Sequence, residues 1–202
     1  MDSSYWDAKF DTDDYIYTTV VNRFVKEYCE PLIAKQPQGK MIDLAGGEGR
    51  NAIWFSEQGW QSENIDWSKK ALSKSLKLAE ERGVADLHFA HIADATGFES
   101  VLTPVDIGVV AYLQVPQQDL ADALDTLVDN VRPGGHILGV WHARENLADG
   151  YGGPRDEAVL PSVASLTEIC ADLPVEIEVL TNRDGQVQTK DGLKPSITVV
   201  LL

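Results

Sequence analysis

The sequence predicts an α/β protein: a doubly wound, mostly parallel seven-stranded sheet that ends in an antiparallel C-terminal hairpin strand. Three observations carry this. Short apolar runs alternate with longer segments of helical period between residues 41 and 141. A glycine-rich turn, Gly46-Gly47-Glu48-Gly49, joins the first run to the helical segment after it. The last two strand candidates follow one another with no helix between them. Alternating β and α elements call for parallel strands covered by helices on both faces, whereas two strands without a crossover helix pair antiparallel.

Taken in order, residues 15–36 read as a leading helix with Val21, Phe24, Val25, Tyr28, Leu32 and Ile33 on one face. Pro31 is expected to bend or break it, because proline removes a helical N–H and crowds the preceding turn. A turn at 37–40 follows. Strand candidates are 41–45, 61–66, 87–92, 105–112 and 136–141; between them lie helices at 50–58, 68–82 and 116–131. The last helix carries Leu120, Leu124, Leu127, Val128 and Val131 on one stripe. Farther on, Ser165 and Glu168 have the spacing of a capping box, and strands at 175–180 and 197–202 are joined by a stretch holding Asp184-Gly185 and Asp191-Gly192. No repeat or linker divides the chain, so 1–202 reads as one domain, a helical cap of 1–38 on an α/β core of 39–202.

Seventeen basic residues against 32 acidic ones give the 202-residue chain a formal charge of −15. That charge opposes a phosphate backbone, so the expected partner is a small-molecule acceptor and no nucleic acid. Lys69, Lys70, Lys74 and Lys77 have helix spacing and read as a solvated face. Cys29 and Cys170 match no metal-ligand spacing, and no metal is expected. With no leader pattern and no apolar run of bilayer length, the expectation is a cytoplasmic protein that does not engage a membrane. A homodimer is compatible with the sequence.

The chemistry concentrates in Met41 to Asn51, where a strand enters a glycine-rich turn and then a helix, the place where open α/β sheets bind ligands. The segment Gly47-Glu48-Gly49-Arg50-Asn51-Ala52 satisfies the dinucleotide pattern of Rossmann-like folds, so by itself it leaves the cofactor open. Charge separates the alternatives. A dinucleotide lays its pyrophosphate on the helix N-terminus, which Glu48 opposes, whereas S-adenosylmethionine carries a sulfonium and an ammonium and tolerates acids. Asp43 is then placed to meet the ammonium, or else to fix the loop. Asp66, ending the second strand, is placed to accept both ribose hydroxyls, or else to cap the next helix.

These residues resemble the class I S-adenosylmethionine-dependent methyltransferases, whose first motif is an acid followed by glycines at alternate positions. Asp94-Ala95, the run from Asp106 to Val115, and Val131-Arg132-Pro133-Gly134-Gly135 are similar to that family's later motifs. Ala45 stands where the family's first glycine belongs, a replacement that requires a backbone angle outside the left-handed region. Tyr5-Trp6-Asp7, Asp13-Asp14-Tyr15 and the run from His142 to Leu160 resemble, more closely, small bacterial methyltransferases of the tellurite-resistance type. The resemblance implies in-line methyl transfer, with Asp43, Ala45, Gly46, Gly47, Gly49, Arg50, Asn51, Asp66, Trp67, Asp94 and Ala95 around the cofactor.

It implies an acceptor side formed by Tyr15, Tyr17, Tyr112, Gln114, His142, Asn146 and Gly150, Gly152 and Gly153. His142 and Tyr112 are the candidates there for a base or an orienting group, and Arg50 either holds the cofactor carboxylate or pairs with an acid. The alternatives are a nucleotide (NAD(P))-dependent oxidoreductase and a non-catalytic S-adenosylmethionine-binding module.

Overall fold

The computed structural model describes residues 3–189 and 191–202; Met1 and Asp2 of the expected cap, and Lys190 of the expected hairpin, lie outside them. Seven strands form one sheet: β1 (Lys40–Leu44), β2 (Gln61–Asp66), β3 (His88–Ile92), β4 (Val105–Ala111), β5 (Val131–His142), β6 (Leu180–Thr189) and β7 (Gly192–Leu201). Their order across the sheet is β3-β2-β1-β4-β5-β7-β6. The first five pair parallel, while β7 runs antiparallel to β5 and β6 on either side of it. The crossover from β3 to β4 reverses the direction of winding, so the C-terminal ends of the adjacent β1 and β4 flank a crevice.

Helices α1 (Ser3–Phe10), α2 (Arg23–Lys35), α3 (Arg50–Glu57), α4 (Lys69–Glu81), α5 (Gln117–Asn130), α6 (Asn146–Asp149) and α7 (Val163–Ala171) cover the sheet. Alternation along each strand sends Met41, Ile107, Val109, Leu138 and Val140 toward Phe24 and Val25 of α2 and Phe55 of α3. Ile42, Leu44, Val110 and Trp141 face Leu120, Leu124 and Leu127 of α5 and Leu166 of α7 instead. Burying a large apolar side chain contributes about 1.5–3 kcal/mol, and Trp60, Trp141, Phe24 and Phe55 are all essentially sealed from solvent. Among the described residues, no helix is long and apolar enough to cross a membrane.

Several expectations are corrected. The leading helix expected over 15–36 is shorter: residues 15–22 are not helical and α2 begins only at Arg23, because Glu48 accepts hydrogen bonds from the Ile16 and Tyr17 N–H groups and diverts them from a helix. Asn22 caps α2 through the N–H groups of Phe24 and Val25, and α2 continues past Pro31. The capping box is formed by Ser162 and Ser165, so α7 starts earlier than the Ser165–Glu168 spacing indicates.

Val175 and Ile177 are exposed and lie before β6, which runs straight through Asp184-Gly185 and turns back beside Gly192 at φ +100°. The Arg132–Gly135 turn is a bulge inside β5: Val131 pairs with Val105, and His136 with Ile107. Because β5 meets β7 only over Gly139–His142, the paired parts of β6 and β7 from Asp184↔Ile197 to Thr189↔Gly192 extend beyond the end of β5.

Candidate functional site

Among the described residues, two non-glycine residues have left-handed backbone angles, Ala45 at φ 53° and Tyr112 at φ 64°. They directly follow β1 and β4, so backbone strain is concentrated at the mouth of the crevice. Ala45 corrects the expectation that alanine requires an ordinary angle there; a non-glycine residue in that region costs about 1–2 kcal/mol. The neighbouring glycines are needed for different reasons. A Cβ on Gly46 would lie 2.6 Å from Asp43 Oδ2 and closer still to Asn64 Oδ1, although its own φ is unexceptional. Gly49 both adopts φ +81° and packs against Ser75.

The acids of the loop have separate tasks. Asp43 is fully buried, and its carboxylate accepts the Ala52 N–H at 3.3 Å and Asn51 Nδ2 at 3.5 Å. Burial pushes its carboxyl up to about 7. Asp43 therefore fixes the start of α3, and the expected direct contact with an ammonium is corrected. Asn51 is corrected with it, since its other side-chain atom accepts the Asn22 N–H. Glu48 is occupied by Lys74 at 3.1 Å as well as by the Ile16 and Tyr17 amides, so the pyrophosphate argument built on a free Glu48 charge loses its force.

Asp66 stands differently. At the tip of β2 it keeps 8% of its surface exposed, accepting the Gly47 N–H at 2.9 Å and the Ser68 N–H at 2.8 Å. Burial raises its carboxyl above the usual range. The cap of α4 is Ser68, through the Ala71 N–H, which removes that task from Asp66 and leaves a carboxylate with unused lone pairs facing the loop. Trp67 follows it, half-buried. We expect Asp66→Ala to weaken S-adenosylhomocysteine binding by about 1.5–3 kcal/mol, the range for losing bonds to a charged acceptor. Calorimetric titration of the folded variant checks this; unchanged affinity would reduce Asp66 to a loop anchor.

Sequence reading missed the side chains behind the loop. Asn64 Nδ2 donates to the Gly47 carbonyl at 2.9 Å and to Ser75 Oγ at 3.0 Å; Ser75 and Ser62 each contact a ring nitrogen of His88 at 2.8 Å. Burial lowers His88 to about 4, so the ring is neutral. Between them Asn64 and Asp66 hold both the carbonyl and the N–H of Gly47. The signal was available: Ser62-Glu63-Asn64 is a polar run in a strand flanked on both sides, where near-continuous apolar residues are the rule.

Asp94 is exposed, and its carboxylate accepts the Thr96 N–H and hydroxyl. That closes a turn, while Ala95 packs on the core.

On the other side, the Tyr112 and His142 rings lie 5.0 Å apart between centroids. Tyr112 accepts Asn22 Nδ2 at 3.3 Å. Gln114 locks His142 in place, accepting its N–H while donating to the Val159 carbonyl. Burial depresses His142 and keeps the imidazole neutral, and its Nδ1 has no partner. Gly153 lies against the ring, where a Cβ would meet His142 Cδ2 at 2.7 Å.

Asn146 is corrected to a staple of this loop, bonding the carbonyls of Tyr151 and Gly152 and the N–H of Ile197. Tyr15 is also moved off the acceptor side, its ring packed on the cluster of Ile53, Leu78 and Ala79 and its hydroxyl 3.5 Å from Glu81. Tyr17 accepts Lys9 Nζ on the leading segment. Phe10 of α1 reaches over Gly47, 3.6 Å from where a Cβ would be. Among the described residues, no three His, Cys, Asp or Glu side chains gather as a metal site.

Comparison with known proteins places this geometry. No protein-family profile matches the chain. A solved structure from the conversion of a disulfide bond into a thioacetal group during echinomycin biosynthesis superposes with TM-score 0.79 at 16% identity, covering 98% of this chain and 89% of that one. An S-adenosylmethionine-dependent methyltransferase from Geobacter sulfurreducens, in complex with S-adenosylhomocysteine, gives TM-score 0.65 at 14% identity over 98% and 97% of the two chains. The fold is the class I methyltransferase fold. TehB from Haemophilus influenzae shares it, with TM-score 0.68 at 14% identity over 98% of this chain and 66% of that one.

Among curated proteins the chain is 33% identical over 97 residues to tRNA 5-carboxymethoxyuridine methyltransferase from Escherichia coli K12. That match takes in 48% of this chain and 37% of that protein, little more than a third of its length. It corrects the exclusion of nucleic acid, because that methyltransferase is named for a tRNA nucleoside. A net charge of −15 averages over the whole surface, whereas an approaching polyanion responds to the local field within about a Debye length, roughly 8–10 Å.

Proposed function

We propose that the chain is an S-adenosylmethionine-dependent methyltransferase and, from the curated relative, that its acceptor nucleophile belongs to a nucleoside carried in tRNA. One observation carries the methyl-transfer reading: β7 is inserted antiparallel between β5 and β6 beside a β1 glycine turn whose Gly47 is held by the β2 acid Asp66. The inserted antiparallel strand favours a methyl donor over a dinucleotide without recourse to Glu48, and Asp66, which would accept ribose hydroxyls of either cofactor, supports a nucleoside.

When bound, the donor supplies an electrophilic methyl group on sulfur. Asp66 and the backbone of Gly46, Gly47 and Gly49 would hold its nucleoside, with Phe10 and Trp67 shielding it from water. His142 and Tyr112 would align the acceptor across the crevice. In-line displacement depends mainly on that alignment. Where the acceptor carries a proton, neutral His142 is the group placed to take it.

S-adenosylhomocysteine should stabilise the protein by about 2.7 kcal/mol at 100 times its dissociation constant, several degrees in melting temperature, while NAD and NADP do not. A shift with the dinucleotides alone would overturn the donor assignment. Transfer of a labelled methyl group to unfractionated tRNA tests the acceptor; label in nuclease-resistant material alone would reject it.

A further inference from the structure

A chain of buried polar side chains runs behind the glycine turn, in a part of the sheet where apolar packing is the rule. Ser62 and Asn64 on β2, His88 at the start of β3, Ser56 on α3 and Ser75 on α4 are each at most 3% exposed. Sealing so many polar groups stabilises the fold only if every one of them is paired. The chain ends on two carbonyls, those of Leu87 and Gly47, and the second belongs to the turn. It touches the turn again at Gly49, where an added Cβ would overlap Ser75 Oγ.

The direction of each hydrogen bond follows from the two ends. A carbonyl only accepts, so the Asn64 amide nitrogen donates to Gly47 at 2.9 Å, and its second hydrogen goes to Ser75 Oγ at 3.0 Å. Ser75 then has its own hydrogen to give to His88 Nε2 at 2.8 Å. At the other end Ser56 donates to the Leu87 carbonyl at 3.4 Å, and Ser62 therefore donates to Ser56 at 2.8 Å. That leaves Ser62 Oγ to accept from His88 Nδ1 at 2.8 Å. Both ends demand the same ring, with hydrogen on Nδ1 and a bare Nε2, and every hydroxyl hydrogen of the chain is then spent. Hydrogen on Nε2 would make Ser75 Oγ a double acceptor and strand its hydrogen in a sealed site. A charged ring fails in the same way, and burial, which lowers His88 to about 4, keeps it neutral.

We propose that His88 is a positioning residue for the glycine turn: as the Nδ1–H tautomer it takes the Ser75 hydroxyl hydrogen on Nε2 and so aims the Asn64 amide nitrogen at the Gly47 carbonyl. The N–H of the same glycine is held by Asp66 at 2.9 Å. Gly47, at φ +57°, has no side chain of its own to anchor it, so these two bonds set where it lies. His88 touches no ligand; through Ser75 and Asn64 it governs how well the turn and Asp66 are arranged to receive a nucleoside. Its expression as donor affinity rests on the methyltransferase reading.

Ring ¹⁵N NMR of the intact protein reads the tautomer, the His88 signals being those lost on substitution. Hydrogen on Nδ1 is expected; hydrogen on Nε2 would overturn the proposal, and this reading stands even where a variant fails to fold. Two variants separate positioning from packing. A Gln amide reaches the place of Nε2 and offers an oxygen to the Ser75 hydroxyl, whereas an Asn amide reaches only the place of Nδ1 and leaves Ser75 without an acceptor. His88→Asn should lower S-adenosylhomocysteine affinity about 3- to 10-fold, the loss of one net hydrogen bond, while His88→Gln stays close to the wild type. Equal affinities in the two variants would reduce His88 to packing. A wild type that does not bind S-adenosylhomocysteine defeats the methyl-donor reading instead. The Gly47 backbone amide resonance then decides His88 alone: moved by Asn and kept by Gln if the proposal holds, moved equally by both if it does not.

Discussion

Gly46→Ala should destabilise the protein by about 2–6 kcal/mol, the sum of overpacking at roughly 1–3 and of buried hydrogen bonds forced apart at roughly 1–3. The added Cβ would lie 2.6 Å from Asp43 Oδ2 and 2.7 Å from Asp43 Cγ, with Asn64 Oδ1 nearer still. These are buried side chains with little room to withdraw: Asp43 holds the start of α3, and Asn64 holds the Gly47 carbonyl. S-adenosylhomocysteine binding should be lost even at temperatures where the variant is folded.

Gly47→Ala should cost less, about 1–2 kcal/mol, because a Cβ there meets only Phe10 at 3.6 Å and the penalty is the φ of +57°. Ala45→Gly should be neutral to slightly stabilising, as relief of the left-handed angle offsets about 0.5–1 kcal/mol of added chain entropy. Urea denaturation of the three variants checks the order. Gly47→Ala proving the more damaging would show that conformation, rather than contact with Asp43 and Asn64, sets the requirement.

That ranking could not be read from the motif, where the glycines look equivalent. The sheet could be read, because hydrophobic period and the absence of a final crossover helix are local facts, and β2 and α3 to α5 fall within a residue or two of their expected bounds. The position of Asp66 at the tip of β2, beside the glycine turn, was legible because it depends on strand order. The site was illegible where the task depends on a partner far along the chain: Glu48 looks like a free charge until Ile16, Tyr17 and Lys74 are seen on it. Asn146 looks like an acceptor ligand until Ile197 appears 51 positions away. The loss of helix over 15–22 has the same origin, a tertiary carboxylate overriding local propensity.

The second large effect concerns His142. Replacing it by Ala should leave S-adenosylhomocysteine affinity nearly unchanged, since His142 sits with Tyr112, Gln114 and Gly153 after β4 and β5 rather than at the β1 turn, while lowering methyl transfer. As a base, His142 should cost about 10²–10⁴-fold in rate. Burial holds its pKa below the ordinary 6.5, so the imidazole is already deprotonated at neutral pH, and wild-type kcat/KM should fall only on acidification through that depressed value. Ala would then erase this acidic limb. As an orienting group tilted against the Tyr112 ring, His142 should cost less and the limb should survive, because whatever titrates is elsewhere. His142→Gln separates these cases further: it keeps a hydrogen-bonding side chain beside Tyr112 but cannot accept a proton near neutral pH, so recovery of rate by Gln points to orientation. Full activity in His142→Ala with a methylated acceptor in hand would exclude both roles and leave the ring as packing for the loop at Gly153, against which it lies.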